Sequence, residues 1–255
     1  PKKVTLHSIV VTSNNEMDTG EEVLEKVRKT ADAKEGWVRV ERIRKAKDRK
    51  IIMGFRSKEE REKMKERLKT TAKDLSVEEV KNKDPMLLLR DVLNINTDED
   101  IQKALKNQNR GIFGSLDEEE NRIEIKYRRK TRNPHTSHIV VAVSPLTWQK
   151  AVEKGYAHID LQRIKVEDQT PLIQCTRCLG FGHSRRFCTD TTDLCSHCGG
   201  PHLRSDCADI IAGIPPKCQN CHRAKLTETN HNSFDRNCPI RKKWDTIARS
   251  TVAYC

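Results

Sequence analysis

The cysteine pattern of the C-terminal third constrains this chain more than any other feature. Nine of its ten cysteines lie between Cys175 and Cys238, in three consecutive sets of two cysteines, one histidine and one cysteine. The sets are Cys175, Cys178, His183 and Cys188; Cys195, Cys198, His202 and Cys207; and Cys218, Cys221, His231 and Cys238. Three thiolates and one imidazole close a tetrahedral zinc shell, and a Cys-x-x-Cys pair delivers two sulfurs from one tight turn. Modules this short most often read single-stranded nucleic acid. The pattern predicts three structural Zn²⁺ ions in a reducing compartment rather than a disulfide framework. Only Cys255 is left over, with no evident activating partner.

The first module, 175–188, has the C-x2-C-x4-H-x4-C spacing of a retroviral-type knuckle, with Gly180 and Gly182 permitting tight turns. Its expected nucleic-acid contacts are Arg177, Arg185 and Arg186, with Phe181 and Phe187 either stacking on a base or filling a small core. Thr176 and Ser184 stand where retroviral knuckles usually carry the apolar base pocket, so recognition in that geometry is not expected. The second module, 195–207, is one residue shorter, has no aromatic, and offers Arg204 as a contact. His197 is expected outside its ligand set, facing solvent or supporting a ligand. In the third, 218–238, spaced C-x2-C-x9-H-x6-C, His222 abuts Cys221 and is badly placed to share its metal, which leaves His231 as the ligand. Lys217, Arg223, Lys225 and Arg236 are its expected phosphate contacts. Ile210, Ile211, Ile214 and Pro215-Pro216 are expected to pack the modules into a semi-rigid array. A short C-terminal helix over 239–255, with Ile240, Trp244, Ile247 and Ala248 at helical spacing, is expected to dock on it.

The formal charge of +12 suggests an acidic partner such as nucleic acid. Each zinc site with three thiolates is net negative, so three loaded sites bring the chain to about +9. From Cys175 onward there are 12 basic and 7 acidic residues. That segment falls to about +2 once metallated, and the larger attraction lies upstream. No apolar run approaches the ~18 residues of a membrane span, and no secretory signal is visible. The start at Pro1 points to a piece of a longer protein.

Upstream, residues 1–83 and 84–170 each read as strand, helix, strand, strand, helix, strand. In the first copy the strands are Val4–Val11, Val38–Ile43, Ile51–Phe55 and Leu75–Val80, with Thr19/Glu22 and Ser57/Glu60 capping the helices. In the second they are Met86–Leu93, Arg122–Tyr127, Ile139–Val143 and a bulged strand through Ile159, Leu161, Ile164 and Val166. Thr97 with Asp100 opens one helix; Ser144-Pro145 opens the other, and Gly155 ends it. Residues 107–121 read as an insertion loop without chemistry. The fold class predicted is α+β: tandem ferredoxin-like, degenerate RNA-recognition-motif-like βαββαβ domains ahead of the knuckle array. The third strands carry one aromatic, Phe55, in the first copy and none in the second. The sheets are thus poor stacking platforms, and scaffolding or self-association is the favoured role. The link between strands two and three is basic in both copies: Arg42, Arg44, Lys45, Lys47, Arg49 and Lys50, then Lys126, Arg128, Arg129, Lys130 and Arg132. Recurrence at equivalent positions makes phosphate contact as plausible as plain solvation. Either run also fits a nuclear-import signal.

The strings CTRCLGFGHSRRFC, CSHCGGPHLRSDC and CQNCHRAKLTETNHNSFDRNC, with the VAYC ending, resemble the Gag-like first-open-reading-frame proteins of insect non-LTR retrotransposons. The group suggested is the one inserting into ribosomal DNA or telomeric repeats. The resemblance covers about residues 172–255. It implies a non-enzymatic protein that binds RNA or single-stranded DNA and associates with itself and the element's reverse transcriptase. It further implies ribonucleoprotein particles in cytoplasm and nucleus. A host regulator carrying zinc knuckles, domesticated from such an element or not, and a zinc-knuckle protein-interaction module are the alternatives.

Overall fold

The computed structural model describes residues 5–31, 39–45, 49–113 and 122–254. The chain forms two compact units. One runs to Gln169 and takes back the residues from Ser250; the other spans Thr170–Arg249.

The first unit is mixed α/β with two antiparallel sheets, each covered by helices on one side. The first half runs β1 (His7–Ser13), α1 (Gly20–Ala31), β2 (Arg42–Lys45), β3 (Lys50–Phe55), α2 (Lys58–Thr71) and β4 (Leu75–Val80). Its strand order is β2-β3-β1-β4. Ile9 and Val11, Ile51, Met53 and Phe55, and Val23, Val27, Met64 and Leu68 from the helices make one buried cluster. The caps arise from local chemistry. Glu22 N–H donates to Thr19 Oγ1 at 3.3 Å while Thr19 N–H donates back to the Glu22 carboxylate at 2.6 Å. The Ser57 hydroxyl accepts from Glu60 N–H at 3.2 Å. The second strand is shifted C-terminally from its predicted span Val38–Ile43, overlapping it at Arg42 and Ile43; residues 32–38, which include Val38 of that prediction, are outside the described residues.

The second half runs β5 (Met86–Leu93), α3 (Asp98–Gln108), α4 (Arg110–Phe113), β6 (Ile123–Lys130), β7 (Thr136–Val143), α5 (Pro145–Lys154), β8 (Tyr156–Ile159) and β9 (Gln162–Gln169). The order is β6-β7-β5-β9-β8. Thr97 and Asp100 close a reciprocal cap on α3. The Ser144 hydroxyl accepts from Thr147 N–H at 3.3 Å, and Gly155 ends α5 at φ 74°. Two predictions are corrected. The bulged last strand is a hairpin: β8 and β9 pair antiparallel, with Asp160 at φ 54° and Leu161 94% exposed in the turn. Hydrophobicity alone could not separate a turn leucine from a strand leucine. The loop over 107–121 also contains structure, because Ile112 and Phe113 of α4 are buried in the core. Residues 114–121 are outside the described set.

The C-terminal tail belongs to this unit. Val252 and Tyr254 join the second core, with the Tyr254 ring 4.7 Å from that of Trp148. Thr5 Oγ1 donates to the Val252 carbonyl at 2.9 Å and accepts from Tyr254 N–H at 3.0 Å.

Phe113 fills a fully enclosed site, so Phe113→Ala is expected to cost about 3–5 kcal/mol, whereas Leu161→Ala should stay within about 0.5 kcal/mol. Ser144→Ala should lie between, near 1 kcal/mol. Urea unfolding of the three variants checks the ranking.

Candidate metal centres

The 170–249 unit has little regular structure: α6 (Ala208–Ile211), α7 (Gln219–Arg223) and α8 (Pro239–Arg249), plus 3-10 turns at Arg185–Phe187 and Arg204–Asp206. Each turn hands the chain to the last cysteine of its module, Cys188 or Cys207.

The twelve cysteine and histidine residues singled out in the sequence come together in the three expected sets. Within each set the ligand atoms all lie within 4.8 Å of one another. Tetrahedral zinc–sulfur bonds of about 2.3 Å require sulfurs some 3.8 Å apart. Cys198 and Cys207 are at 3.8 Å, as are Cys218 and Cys238, and Cys221 and Cys238 are at 3.5 Å. Nε2 is the ring nitrogen that faces sulfur in every set: His183, His202 and His231 each stand 3.4 Å from Cys178, Cys198 and Cys221. Each set therefore has the donors and the dimensions to hold one metal ion.

Backbone amides ready the thiols. Arg177 N–H points at Cys175 Sγ at 3.3 Å, and His197 N–H at Cys195 Sγ at 3.4 Å. Burial opposes ionisation of Cys175 and Cys195. The amide and thiol donors around them outweigh it and bring both down to about 7. Burial, reinforced by those neighbouring thiols, pushes Cys178 and Cys198 up to about 11. A cluster in which one sulfur ionises readily and the next resists is one that a divalent cation completes.

The modules are joined by polar contacts. From α7 of the third module, Asn220 Nδ2 donates to the Leu179 carbonyl of the first at 2.9 Å, and Arg223 Nη1 to the Cys178 carbonyl at 3.0 Å. Gln219 Nε2 reaches the Cys198 carbonyl of the second at 3.2 Å. Ser233 N–H donates to Ser196 O at 2.9 Å, and Lys217 N–H to His197 O at 2.6 Å. Gly199, at φ 80°, has no room for a side chain because Gln219 lies against it. The expected apolar packing is corrected: Ile210, Ile211 and Ile214 are 38%, 87% and 49% exposed. His197 lies outside the ligand set, as expected. It does not face solvent: it is buried, and its Nε2 bonds the Ile214 carbonyl at 2.8 Å, fixing the linker between modules.

The predicted nucleic-acid contacts divide. Phe181 sits 6.1 Å from Trp244 of α8, ring to ring, whereas Phe187 is 72% exposed with the Arg186 guanidinium 5.6 Å from its centre. Arg185 is paired with Asp193, whose carboxyl it holds below the usual range, and Arg177 bonds the Asp190 carbonyl at 2.9 Å. Arg223 is committed to the Cys178 carbonyl. Arg186, Arg204, Lys217, Lys225 and Arg236 are exposed.

In the first unit most of the basic runs are corrected from connections to strands: Arg44 and Lys45 lie with Arg42 in β2, Lys50 in β3, and Arg128 to Lys130 follow Lys126 in β6. Arg49 stands 3.5 Å from Glu16. Lys47 is outside the described residues. Arg128 turns toward the helices and bonds Asp98 at 2.8 Å through Nε and the Asn96 carbonyl at 2.9 Å. Arg129 faces the other side. Sequence reading missed Tyr127, a 45% exposed aromatic on that same side, and Arg90 and His138, which stand near the run only after folding.

No protein-family model matches the chain. Over 82 residues it is 37% identical to the nucleic-acid-binding protein from mobile element jockey of Drosophila melanogaster, a match covering 31% of this chain and 13% of that protein. The protein of the same name from Drosophila funebris is 33% identical over 72 residues, 28% of this chain and 11% of its own length. The matches thus span a small part of either relative. Among solved structures, the Sxl-lethal protein/RNA complex is similar with a TM-score of 0.23 and 14% identity, over 65% of this chain and all of that one. A score that low carries no argument.

Asn220→Ala removes one of two donors to the Leu179 carbonyl, which still accepts from Gln174 Nε2 at 3.0 Å, at an expected cost of about 0.5–1.5 kcal/mol. Zinc release during chelator titration should then begin at a lower chelator concentration than in the unsubstituted chain.

Proposed function

We propose that this chain is the nucleic-acid-binding part of a Gag-like protein of a mobile element, built to hold three structural zinc ions and to bind RNA or single-stranded DNA. The observation that carries the reading is the triple Cys3His array, with ligand atoms at the separations tetrahedral zinc requires. The names of the Drosophila relatives support both the nucleic-acid partner and the mobile-element origin.

In this reading the two sheets are tandem ferredoxin-like domains of degenerate RNA-recognition-motif type, supported by their repeated element order. At its centre the second sheet carries Leu88, Val140 and Ala142 on the side away from its helices, all buried and none aromatic, which argues against base stacking there and leaves Tyr127 on the edge strand β6 as the exposed aromatic of that side among the described residues. The role is non-catalytic. Closed four-ligand metal sites leave no position for a substrate. Self-association, assembly with the element's reverse transcriptase and passage between cytoplasm and nucleus complete the proposal. Among the described residues no helix is long and apolar enough to cross a membrane.

The test is binding of the intact chain to single-stranded RNA, single-stranded DNA and duplex across a salt series, alone and with His183, His202 and His231 all replaced by alanine. The expected result is single-strand preference that falls at least tenfold in the variant. Failure of the unsubstituted chain to bind any single strand would sink the proposal. Binding unchanged in the variant would move recognition to the first unit and leave the array as a protein interface.

A further inference from the structure

The side of the second sheet that faces away from α3 and α5 carries an open hollow of about 690 Å³ near the β6–β7 hairpin. Arg90, Arg129, Lys130, Arg132 and His138 bring five basic side chains to its lining, and Asp91 brings the one carboxylate. They come from three separate stretches of sequence. Arg129 and His138 are direct cross-strand partners on β6 and β7. Arg90 arrives from β5, where the pairing with β7 slips between Leu89 and Val92.

That slip is built and held. Asp91 adopts φ 54°, a left-handed conformation that costs a non-glycine residue about 1 kcal/mol or more and concentrates at functional sites. Gln162 clamps it, donating to the Asp91 carbonyl at 3.2 Å while accepting from Leu93 N–H at 2.8 Å. The bulge turns Asp91 N–H onto His138 Nδ1 at 3.2 Å. With Nδ1 accepting, the neutral ring carries its proton on Nε2, so its other edge is a donor. Arg90 is held by Glu167, at 2.8 Å from Nε and 2.6 Å from Nη2.

The hairpin is equally rigid. Asn94 Nδ2 donates to the Pro134 carbonyl at 2.9 Å, Asn94 N–H to the His135 carbonyl at 2.9 Å, and Ser137 Oγ to Asn94 Oδ1 at 2.7 Å. Thr131 Oγ1 donates to the Asn133 carbonyl at 2.8 Å. A solvated basic loop would splay its charges apart. Here the neighbours Lys126 and Arg128 are paired with Glu124 and Asp98, while Arg129, Lys130 and Arg132 have no ion-pair partner among the described residues. Like charges gathered around one hollow repel, and an anion relieves that repulsion over a backbone that is already ordered.

We infer that this hollow is a phosphate site that grips the backbone of single-stranded RNA, an inference that rests on the nucleic-acid reading above. It binds by charge and by arginine and imidazole donors, and it does not discriminate bases. Base-independent positioning is the task left to a sheet without aromatic stacking residues in its centre.

Fluorescence anisotropy of a labelled 20-nucleotide oligouridylate with the full chain tests it, over a salt series. Three variants are compared: Arg129→Gln/Arg132→Gln, neither of which has a structural partner; His138→Ala; and the charge-matched control Lys69→Gln/Lys106→Gln on exposed helix positions. The expected result is about tenfold weaker binding for the arginine pair, with the log–log salt slope shallower by about 0.7 for each phosphate that is no longer neutralised. A smaller loss is expected for His138→Ala, and near-parental binding for the control. An arginine pair that binds like the parent overturns the site while leaving the proposed function standing. Equal losses in the arginine pair and the control also overturn it, since the attraction is then diffuse charge. A parent chain that binds no oligouridylate overturns the site; the proposed function falls with it only if the chain binds no single-stranded DNA either.

Discussion

Mutual repulsion among closely spaced thiolates is the constraint on which the 170–249 unit depends. Nine sulfurs and three imidazoles are gathered into sets only 4.8 Å across, and the thiolates tolerate one another only around a cation. The buried residues of this unit are chiefly those cysteines, with Leu179, Ser196, His197, Asn220 and Ser233. A unit this small seldom folds on an apolar core alone, and metal sites take the core's place. The isoleucines that a conventional core would claim are on the surface. Coherence between modules comes from α7, whose Gln219, Asn220 and Arg223 each bond a carbonyl of another module.

The first unit solves its folding problem with hydrophobic sheets and carries the larger share of the positive charge. Its charge is ordered rather than diffuse: Arg128 is spent on Asp98, while Arg129 on the opposite side stays unpaired among the described residues. In the array the balance is different, because Asp193 neutralises Arg185, while Phe187 and Arg186 form an exposed aromatic–cation pair.

What could be read beforehand followed the range over which each signal acts. Ligand spacing, the caps at Thr19, Ser57, Thr97 and Ser144, and the stop at Gly155 are local, and all sit where the sequence put them. Met86–Leu93 was legible end to end because its run of leucines is bounded on both sides. The Tyr156–Gln169 hairpin was not, since Asp160 needs a left-handed turn that no glycine or proline announces. Phe113 was hidden in a stretch whose composition reads as loop. Arg90 lies far from the basic run in sequence and His138 just beyond its turn, and both join it through strand pairing. The contacts of Asn220 and Arg223 are with backbone carbonyls, which carry no side-chain signature at all.

The central claim is that three metal centres and the hydrogen bonds between them form one folded body. Native mass spectrometry during stepwise chelation, followed in parallel by amide hydrogen exchange, tests it most directly. The account predicts chains carrying three zinc ions that pass to the metal-free state with little population between, and protection over residues 170–249 that disappears in one step. Zinc ions leaving one at a time, each with loss of protection confined to its own module, would contradict it.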